Sequence, residues 1–134
     1  MKIKVTILIL PMGKARARHA VKGGRVMTYT PAKTRLAEAV IQTQVRQEVL
    51  KHGVFGGDQP ILLVATFYRP RPKHLPKRVT MPITRPDWDN YGKLVSDALE
   101  KFVYDNDSQI TTAIIKKRFG NPPRIELLLE EDAE

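Results

Sequence analysis

Four of the five aspartates between positions 87 and 107 have the spacing that most suggests chemistry. Asp87 and Asp89 stand in an Asp-x-Asp-Asn run, Lys93 follows Asp89 by four residues, and Asp105-x-Asp107 comes one predicted helix later. Carboxylates beside a phosphate repel it unless they hold a metal ion. Because much of the chain is strongly basic, the pattern favours a metal-dependent nuclease over a passive binder of polyanions.

The same residues also fit structural roles. Asp87 is suited to cap the following helix, Asp89 and Lys93 have the spacing of a surface ion pair, and Asp105 and Asp107 are typical of turns. A calcium-binding EF-hand loop fits from neither aspartate pair, because other residue types stand at its required positions. A helix of about 14 residues is about 21 Å long, so Asp107 approaches Asp87 and Asp89 only if the chain runs back along it.

The net charge of +9 is unevenly distributed. Residues 1–86 hold 17 Lys and Arg against 3 Asp and Glu, whereas residues 87–134 hold 6 against 11. A chain this basic is expected to bind a polyanion. A row of basic residues alternates with small ones in a predicted β-hairpin or extended loop, and these are candidates for phosphate contact: Lys14, Arg16 and Arg18.

Residues 69–86, hereafter the basic loop, hold five Pro, six Lys or Arg and no acid. Five prolines exclude both a helix and a central strand, and exposed loops of this length are usually functional or disordered. We predict phosphate contacts from Arg69, Arg71 and Lys73, with a solvated linker as the alternative.

Hydrophobic periodicity predicts a single α+β domain over residues 1–134, a mixed sheet of four or five strands with two main helices packed on it. The predicted strands span 2–10, 61–68, 109–119 and 124–129, and the predicted helices span 31–51 and 88–101. Thr30 is expected to cap the first helix, with Pro31 at its first position. The continuously apolar strand 61–68 predicts burial on both faces. The last strand is expected to be antiparallel to its predecessor.

Composition excludes several other classes of protein. The absence of Cys rules out a disulfide scaffold, a Cys-ligated metal and a Cys nucleophile. The longest strictly apolar run, residues 61–65, is far short of the roughly 20 residues that span a bilayer, and the first residues lack the organisation of a signal peptide. We therefore expect a cytoplasmic protein that does not contact a membrane, with a solvated acidic tail at residues 130–134.

Three stretches carry a combination of motifs that is more specific than any of its parts. They are 85–93 (RPDWDNYGK), 96–99 (SDAL) and 103–110 (VYDNDSQI). Together they resemble the signature of the RusA family of Holliday junction resolvases, small endodeoxyribonucleases common in prophages. The basic N-terminal segment 11–18 and the Thr-Pro helix entry at 29–34 also resemble that family. The resemblance therefore spans about residues 8–129.

By this resemblance the catalytic and metal-binding acids are Asp87, Asp89 and Asp107, and the essential lysine is Lys93. Three carboxylates suit Mg²⁺, with Mn²⁺ as a substitute, and the metal would activate water and neutralise charge on the scissile phosphate. Lys93 would stabilise the negative charge of the transition state. Asn90 is a candidate to hold one of the carboxylates by a hydrogen bond.

The resemblance also implies a compact α/β domain that acts as a homodimer on branched DNA, the four-way junction, in recombination and repair. A two-fold symmetric dimer would present two sites to opposed strands. Asn106 stands where the family usually has a second Asp, and Tyr91 stands at a commonly aliphatic position, which we interpret as core packing. The residues alone leave two other functions open: a non-catalytic DNA- or junction-binding module, and a nuclease of the same chemistry acting on another branched nucleic acid.

Overall fold

The structure of the chain is a computed structural model that describes residues 1–15 and 18–133. In chain order the elements are β1 (Lys2–Ile7), β2 (Arg18–Lys22), β3 (Arg25–Tyr29), α1 (Ala32–His52), β4 (Ile61–Arg69), α2 (Trp88–Leu99), a 3₁₀ turn (Asp107–Gln109), β5 (Ile110–Phe119) and β6 (Arg124–Glu131). β2 and β3 pair only with each other, as the predicted hairpin, and the other four strands form one mixed sheet. The predicted α+β class is therefore confirmed.

The four-stranded sheet has the order β1-β6-β4-β5. β6 is antiparallel to both β1 and β4, and β5 is parallel to β4. The parallel pair requires a long crossover connection, which contains α2. β5 and β6 run in opposite directions, as predicted, but they do not pair with each other, because the chain after β5 crosses to the far edge of β4.

One face of this sheet carries the core. The register aligns Leu63 of β4 with Leu129 of β6 and Leu129 with Ile3 of β1, so buried side chains form continuous rows across the strands. Residues of both helices belong to the same core. Leu62 and Val64 point to the opposite face and are only half-buried, so the prediction that β4 is buried on both faces is wrong.

The two helices pack on this face through apolar side chains. The ring of Tyr91 in α2 stacks on Phe67 of β4, with centroids 4.5 Å apart, which confirms Tyr91 as a core residue. α1 begins at Ala32, and Pro31 occupies its N-cap position. No side chain caps the helix, so the predicted Thr30 cap is wrong. Among the described residues, neither helix combines the length and the apolar character needed to cross a bilayer.

The basic loop contains neither helix nor strand beyond the last residue of β4, and its own arginines hold it together. The guanidinium of Arg69 donates to the carbonyl oxygens of Thr84 (3.0 Å) and Arg85 (2.8 Å), which joins the two ends of the loop. The guanidinium of Arg71 donates to carbonyl oxygens within the loop, at Leu75 (3.3 Å), Pro76 (2.7 Å) and Val79 (3.3 Å). The loop therefore leads into α2 with both of its ends fixed.

Candidate active site

The first aspartate pair lies at the start of α2. Asp87 occupies the N-cap position and Asp89 the first turn, where the positive end of the helix dipole favours acids. The side chain of Asp87 forms no capping hydrogen bond, so the capping interpretation holds for its position but not for its carboxylate. Residues two apart at a helix start point to different sides, and the two carboxylates accordingly open on different cavities.

The second aspartate pair lies in a turn that other side chains close. Asn106 Oδ1 accepts from the N–H of Ser108 (2.9 Å), and Gln109 Oε1 accepts from the N–H groups of Asp105 (3.0 Å) and Asn106 (2.9 Å). Asn106 and Gln109 thus form a capping box, and the carboxylate of Asp107 is left for other partners. Asn106 has a structural role here that an Asp side chain would also fill, since both offer the accepting oxygen.

The ammonium group of Lys93 lies between two carboxylates, and neither belongs to Asp89. Its Nζ atom is 3.0 Å from Asp97 Oδ1 and 3.6 Å from Asp107 Oδ2. The hydrogen bond to Asp97, aided by the charge of Asp107, raises the pKa of Lys93 although partial burial opposes the shift. Lys93 is therefore cationic at neutral pH, and 56% of its side chain stays exposed. The alternative of an Asp89–Lys93 surface pair is not observed.

Three carboxylates of the described residues come within 4.8 Å of one another, those of Asp97, Glu100 and Asp107, hereafter the acidic cluster. Glu100 Oε1 also accepts from the N–H of Asp107 at 3.4 Å. The neighbouring Tyr104 is buried, and burial together with the three negative charges raises the pKa of its hydroxyl, which donates to the carbonyl of Ser96 at 2.6 Å. The acidic cluster is thus a region of concentrated negative charge on a basic protein.

Asp89, Lys93 and Asp107 line one surface depression of about 290 Å³. Trp88 also lines it and is 64% exposed. The structure therefore brings together two of the predicted acids and the predicted lysine. Asp87 lies instead beside a neighbouring cavity. Among the described residues, neither Asp87 nor Asp89 belongs to the acidic cluster, so the three predicted acids do not form a group within 4.8 Å.

The N-terminal segment packs on α2 at Asn90. The N–H of Lys14 donates to the carbonyl of Asn90 (3.2 Å), and a Cβ atom added to Gly13 would lie 2.5 Å from Asn90 Nδ2. Lys14 Nζ pairs with Glu38 of α1 and with Asp97 (3.2 Å). Burial by itself lowers the pKa of Lys14, but the two carboxylates outweigh it and the pKa is raised. Lys14, a predicted phosphate contact, thus lies between two carboxylates, and Asn90, predicted to hold a carboxylate, faces the N-terminal segment.

The other predicted phosphate contacts divide into three groups. Arg16 and the side chain of Arg18 lie outside the described part of the chain. Arg69 and Arg71 donate to carbonyl oxygens of the basic loop. Lys73 is exposed on the same loop. Contact of these residues with DNA stays a prediction.

Sequence reasoning missed Asp97 and Glu100, although both carried a signal. Asp97 follows Lys93 by four residues, and side chains at that spacing on a helix are neighbours. Both acids also stand at the C-terminal end of α2, where the helix dipole disfavours negative charge. A charge placed against local preference is a mark of a tertiary or functional role.

Comparison with known proteins identifies the family of the chain. The sequence pattern of the family described as Endodeoxyribonuclease RusA matches residues 9–130, a range that holds both the acidic cluster and Lys93. The chain belongs to this family of DNA-cleaving enzymes, whose general activity is the resolution of Holliday junctions. Among curated proteins, the chain is similar to the uncharacterized protein YqaN of Bacillus subtilis (strain 168), with 31% identity over 142 residues and 96% of each chain covered.

Proposed function

We propose that the protein is a divalent-metal-dependent endonuclease that cleaves four-way DNA junctions by paired strand incisions, in DNA recombination and repair. The observation that carries the proposal is the meeting of Asp89, Lys93 and Asp107 around one depression in a chain of the RusA family. The net charge of +9 supports a polyanionic substrate, because phosphate neutralisation dominates binding to DNA.

The available ligands fit a hard divalent cation such as Mg²⁺, with Mn²⁺ as a substitute. All of them are carboxylate oxygens, which these ions prefer. The acidic cluster carries three negative charges and contacts the ammonium groups of Lys14 and Lys93, and Glu38 adds a further negative charge beside Lys14. Negative charge is therefore in excess at this point, and a cation would balance it.

Asp107 is the carboxylate that belongs both to the predicted ligand set and to the acidic cluster. We propose it as the central metal ligand, with Asp89 contributing from the same depression. Asp87 stays in the proposed set as the residue two positions before Asp89, and it opens on the adjacent cavity. When bound, the metal would activate a water molecule and neutralise charge on the scissile phosphate.

Lys93 has the properties of a fixed cation for charge that develops in the transition state. Its ammonium group is held by Asp97 and lies beside Asp107, while more than half of the side chain faces solvent, where a phosphate would lie. Preorganised charges of this kind stabilise a transition state without reorganisation during the reaction. The exposed ring of Trp88 forms a flat wall of the same depression.

A homodimer follows from the symmetry of the substrate. A four-way junction has approximate two-fold symmetry, and paired incisions require two sites that face opposed strands. The described part of one chain holds a single acidic cluster, so a second copy would supply the second site. A DNA substrate also supports a cytoplasmic location.

Incubation of the protein with a synthetic four-way junction, with and without Mg²⁺, tests the proposed function. We expect nicks at symmetric positions with Mg²⁺, none with a chelator, and slower cleavage of a linear duplex of the same sequence. Tight binding without cleavage would favour the non-catalytic module. Faster cleavage of flaps or of RNA than of the junction would redirect the proposal to another branched substrate.

Trp88 offers a direct readout of where DNA binds. It is the only tryptophan in the sequence, and it lies in the same depression as Asp89. We expect its fluorescence to change when a junction binds in the presence of a chelator, which prevents cleavage. Unchanged emission at saturating junction, with binding verified by gel shift, would place the DNA elsewhere on the protein.

A further inference from the structure

We propose that Asp97 is a positioning residue, which fixes the ammonium group of Lys93 beside Asp107 and is itself fixed by Lys14. This inference rests on the proposed function, because the position of Lys93 matters to catalysis only if the protein cleaves DNA. It gives a role to two charged residues that the metal ligands alone leave without one.

Both carboxylate oxygens of Asp97 are engaged. Oδ1 is 3.0 Å from Lys93 Nζ, and Oδ2 is 3.2 Å from Lys14 Nζ. The Asp97 side chain is 19% exposed and that of Lys14 20%, whereas that of Lys93 is 56% exposed. A lysine this exposed ordinarily samples many rotamers. Charge-assisted bonds to a shielded carboxylate with no free oxygen restrict that freedom.

Asp97 is in turn tied to elements outside α2. Lys14 pairs with Glu38 of α1, and its backbone N–H donates to the carbonyl of Asn90. The N-terminal segment, α1 and α2 therefore meet through the Lys14 side chain. The position of Lys93 depends on this tertiary contact as well as on its own helix.

The local stability of α2 does not account for Asp97. The residue stands in the last turn, where the helix dipole disfavours an acid, and no basic residue accompanies it there. The pair also runs from Lys93 to Asp97, and a lysine that precedes its acid is the less favourable order at this spacing. The contribution of the Asp97 carboxylate is therefore its ion pairs with Lys93 and Lys14, and not the stability of α2.

A double-mutant cycle on the cleavage step tests the proposal. The measured quantity is the single-turnover rate on prebound junction at saturating Mg²⁺. We expect Asp97→Asn to lower this rate about tenfold and Asp97→Ala about 10²-fold, since small displacements of a catalytic group have effects of this order. Junction affinity should stay within about twofold, because no DNA-contacting charge is removed. In a Lys93→Ala background, Asp97→Asn should lower the rate further by less than about twofold.

Two further variants separate positioning from general damage. Glu126→Gln removes the same charge from the Arg124–Glu126 pair of β6, which lies outside the depression and the acidic cluster, and should stay close to the wild-type rate. Lys14→Met removes the other partner of Asp97 and should lower the rate about fivefold, again with little further loss in a Lys93→Ala background. Thermal unfolding of each variant verifies that it is folded, and Lys14→Met replaces Asp97→Asn in the cycle if the latter does not fold.

The outcomes that would overturn the proposal are distinct. Losses from Asp97→Asn and Lys93→Ala that multiply would show that Asp97 acts independently of Lys93. A raised Mg²⁺ concentration for half-maximal rate in Asp97→Asn, without coupling to Lys93, would make Asp97 a metal ligand instead. If the wild-type protein leaves the junction intact, the proposed function fails and the role of Asp97 fails with it. Wild-type cleavage with multiplying losses overturns the role of Asp97 alone.

Discussion

In the basic loop, charged side chains bond to the backbone, whereas around the acidic cluster they bond to one another. Arg69 and Arg71 direct their N–H groups to carbonyl oxygens and so hold an irregular, proline-rich segment in place. A guanidinium has five N–H donors, so it does this while it keeps its charge. Lys14 and Lys93 carry compact ammonium groups, and both pair with carboxylates.

The difference shows that the role of a charged residue depends on its partners and not on its charge alone. Two of the three loop residues predicted to contact phosphates are engaged in holding the loop. The exposed residues Lys73, Lys77 and Arg78 on the same loop have the freedom to follow a DNA backbone. Around the acidic cluster, by contrast, Lys14, Lys93 and Asp97 each have two partners of opposite charge, so loss of a single charge changes a shared network of ion pairs.

The largest effect is expected from the three proposed metal ligands. Asp107→Asn should lower single-turnover cleavage on the order of 10³-fold or more, as does loss of a group that acts directly on the reacting atoms. Junction binding should stay the same or become tighter, because a charge that repels phosphate is removed. Asp89→Asn and Asp87→Asn should behave alike. Mg²⁺-dependent cleavage retained by any of the three would remove that residue from the site.

Lys93 should have the next largest effect. Lys93→Ala should lower the single-turnover rate about 10²-fold, and Lys93→Arg should restore little, since a planar guanidinium does not replace a compact ammonium group. Lys101→Ala is the matched control, because Lys101 also pairs with an aspartate four residues later but lies outside the depression. A Lys93→Ala rate within about threefold of wild type, about 0.65 kcal/mol, would reduce Lys93 to a surface ion-pair residue.

A moderate effect on affinity is expected from the basic loop. Replacing Lys73, Lys77 and Arg78 by Ala should weaken junction binding and lower the slope of log K against log salt by about 0.9 for each lost phosphate contact. Arg71→Ala should change the slope less and instead speed proteolysis within the loop, because its carbonyl partners are released. An equal fall in slope for Arg71→Ala alone would show that Arg71 contacts DNA as well.

The smallest effect is expected at the turn that carries Asp107. Asn106→Ala should lower the free energy of unfolding by about 1 kcal/mol, as for other capping residues, whereas Asn106→Asp should keep most of the stability because it retains the accepting oxygen. Urea unfolding of the two variants measures the difference. Equal destabilisation by Ala and Asp would mean that the hydrogen bond to Ser108 contributes little.

Much of the fold was predictable from periodicity. β4, both helices and the core position of Tyr91 follow from local spacing of apolar residues, and those signals are short-range. The order of β5 and β6 was not predictable in this way, because it depends on which edge of β4 each strand reaches. The half-exposed face of β4 was missed for the same reason: an apolar run does not reveal whether helices cover one side of a sheet or two.

The candidate site was predictable where a local motif marks its residues. It was not predictable where residues distant along the chain come together in the fold. The motif around Asp89 and Lys93, together with the turn at Asp107, indicated three residues that line one depression in the structure. The partners of Lys14 could not be read from the sequence, because Glu38 and Asp97 are far from it along the chain. The acceptors of Arg71 could not be predicted either, since backbone carbonyl oxygens that accept from a guanidinium leave no pattern of side chains in the sequence.

The central place of β6 in the sheet has a consequence for synthesis of the protein. β6 comes last in chain order among the described strands, yet it lies between β1 and β4, and Lys2 of β1 pairs with Glu130 of β6. A nascent chain therefore has no complete sheet on which α2 can pack until β6 has been synthesised. A chain truncated before Arg124 would lack the strand that joins the two halves of the sheet. We therefore expect a chain without β6 not to form the sheet on which α2 packs, and the depression at Asp89 and Asp107 would be lost with it.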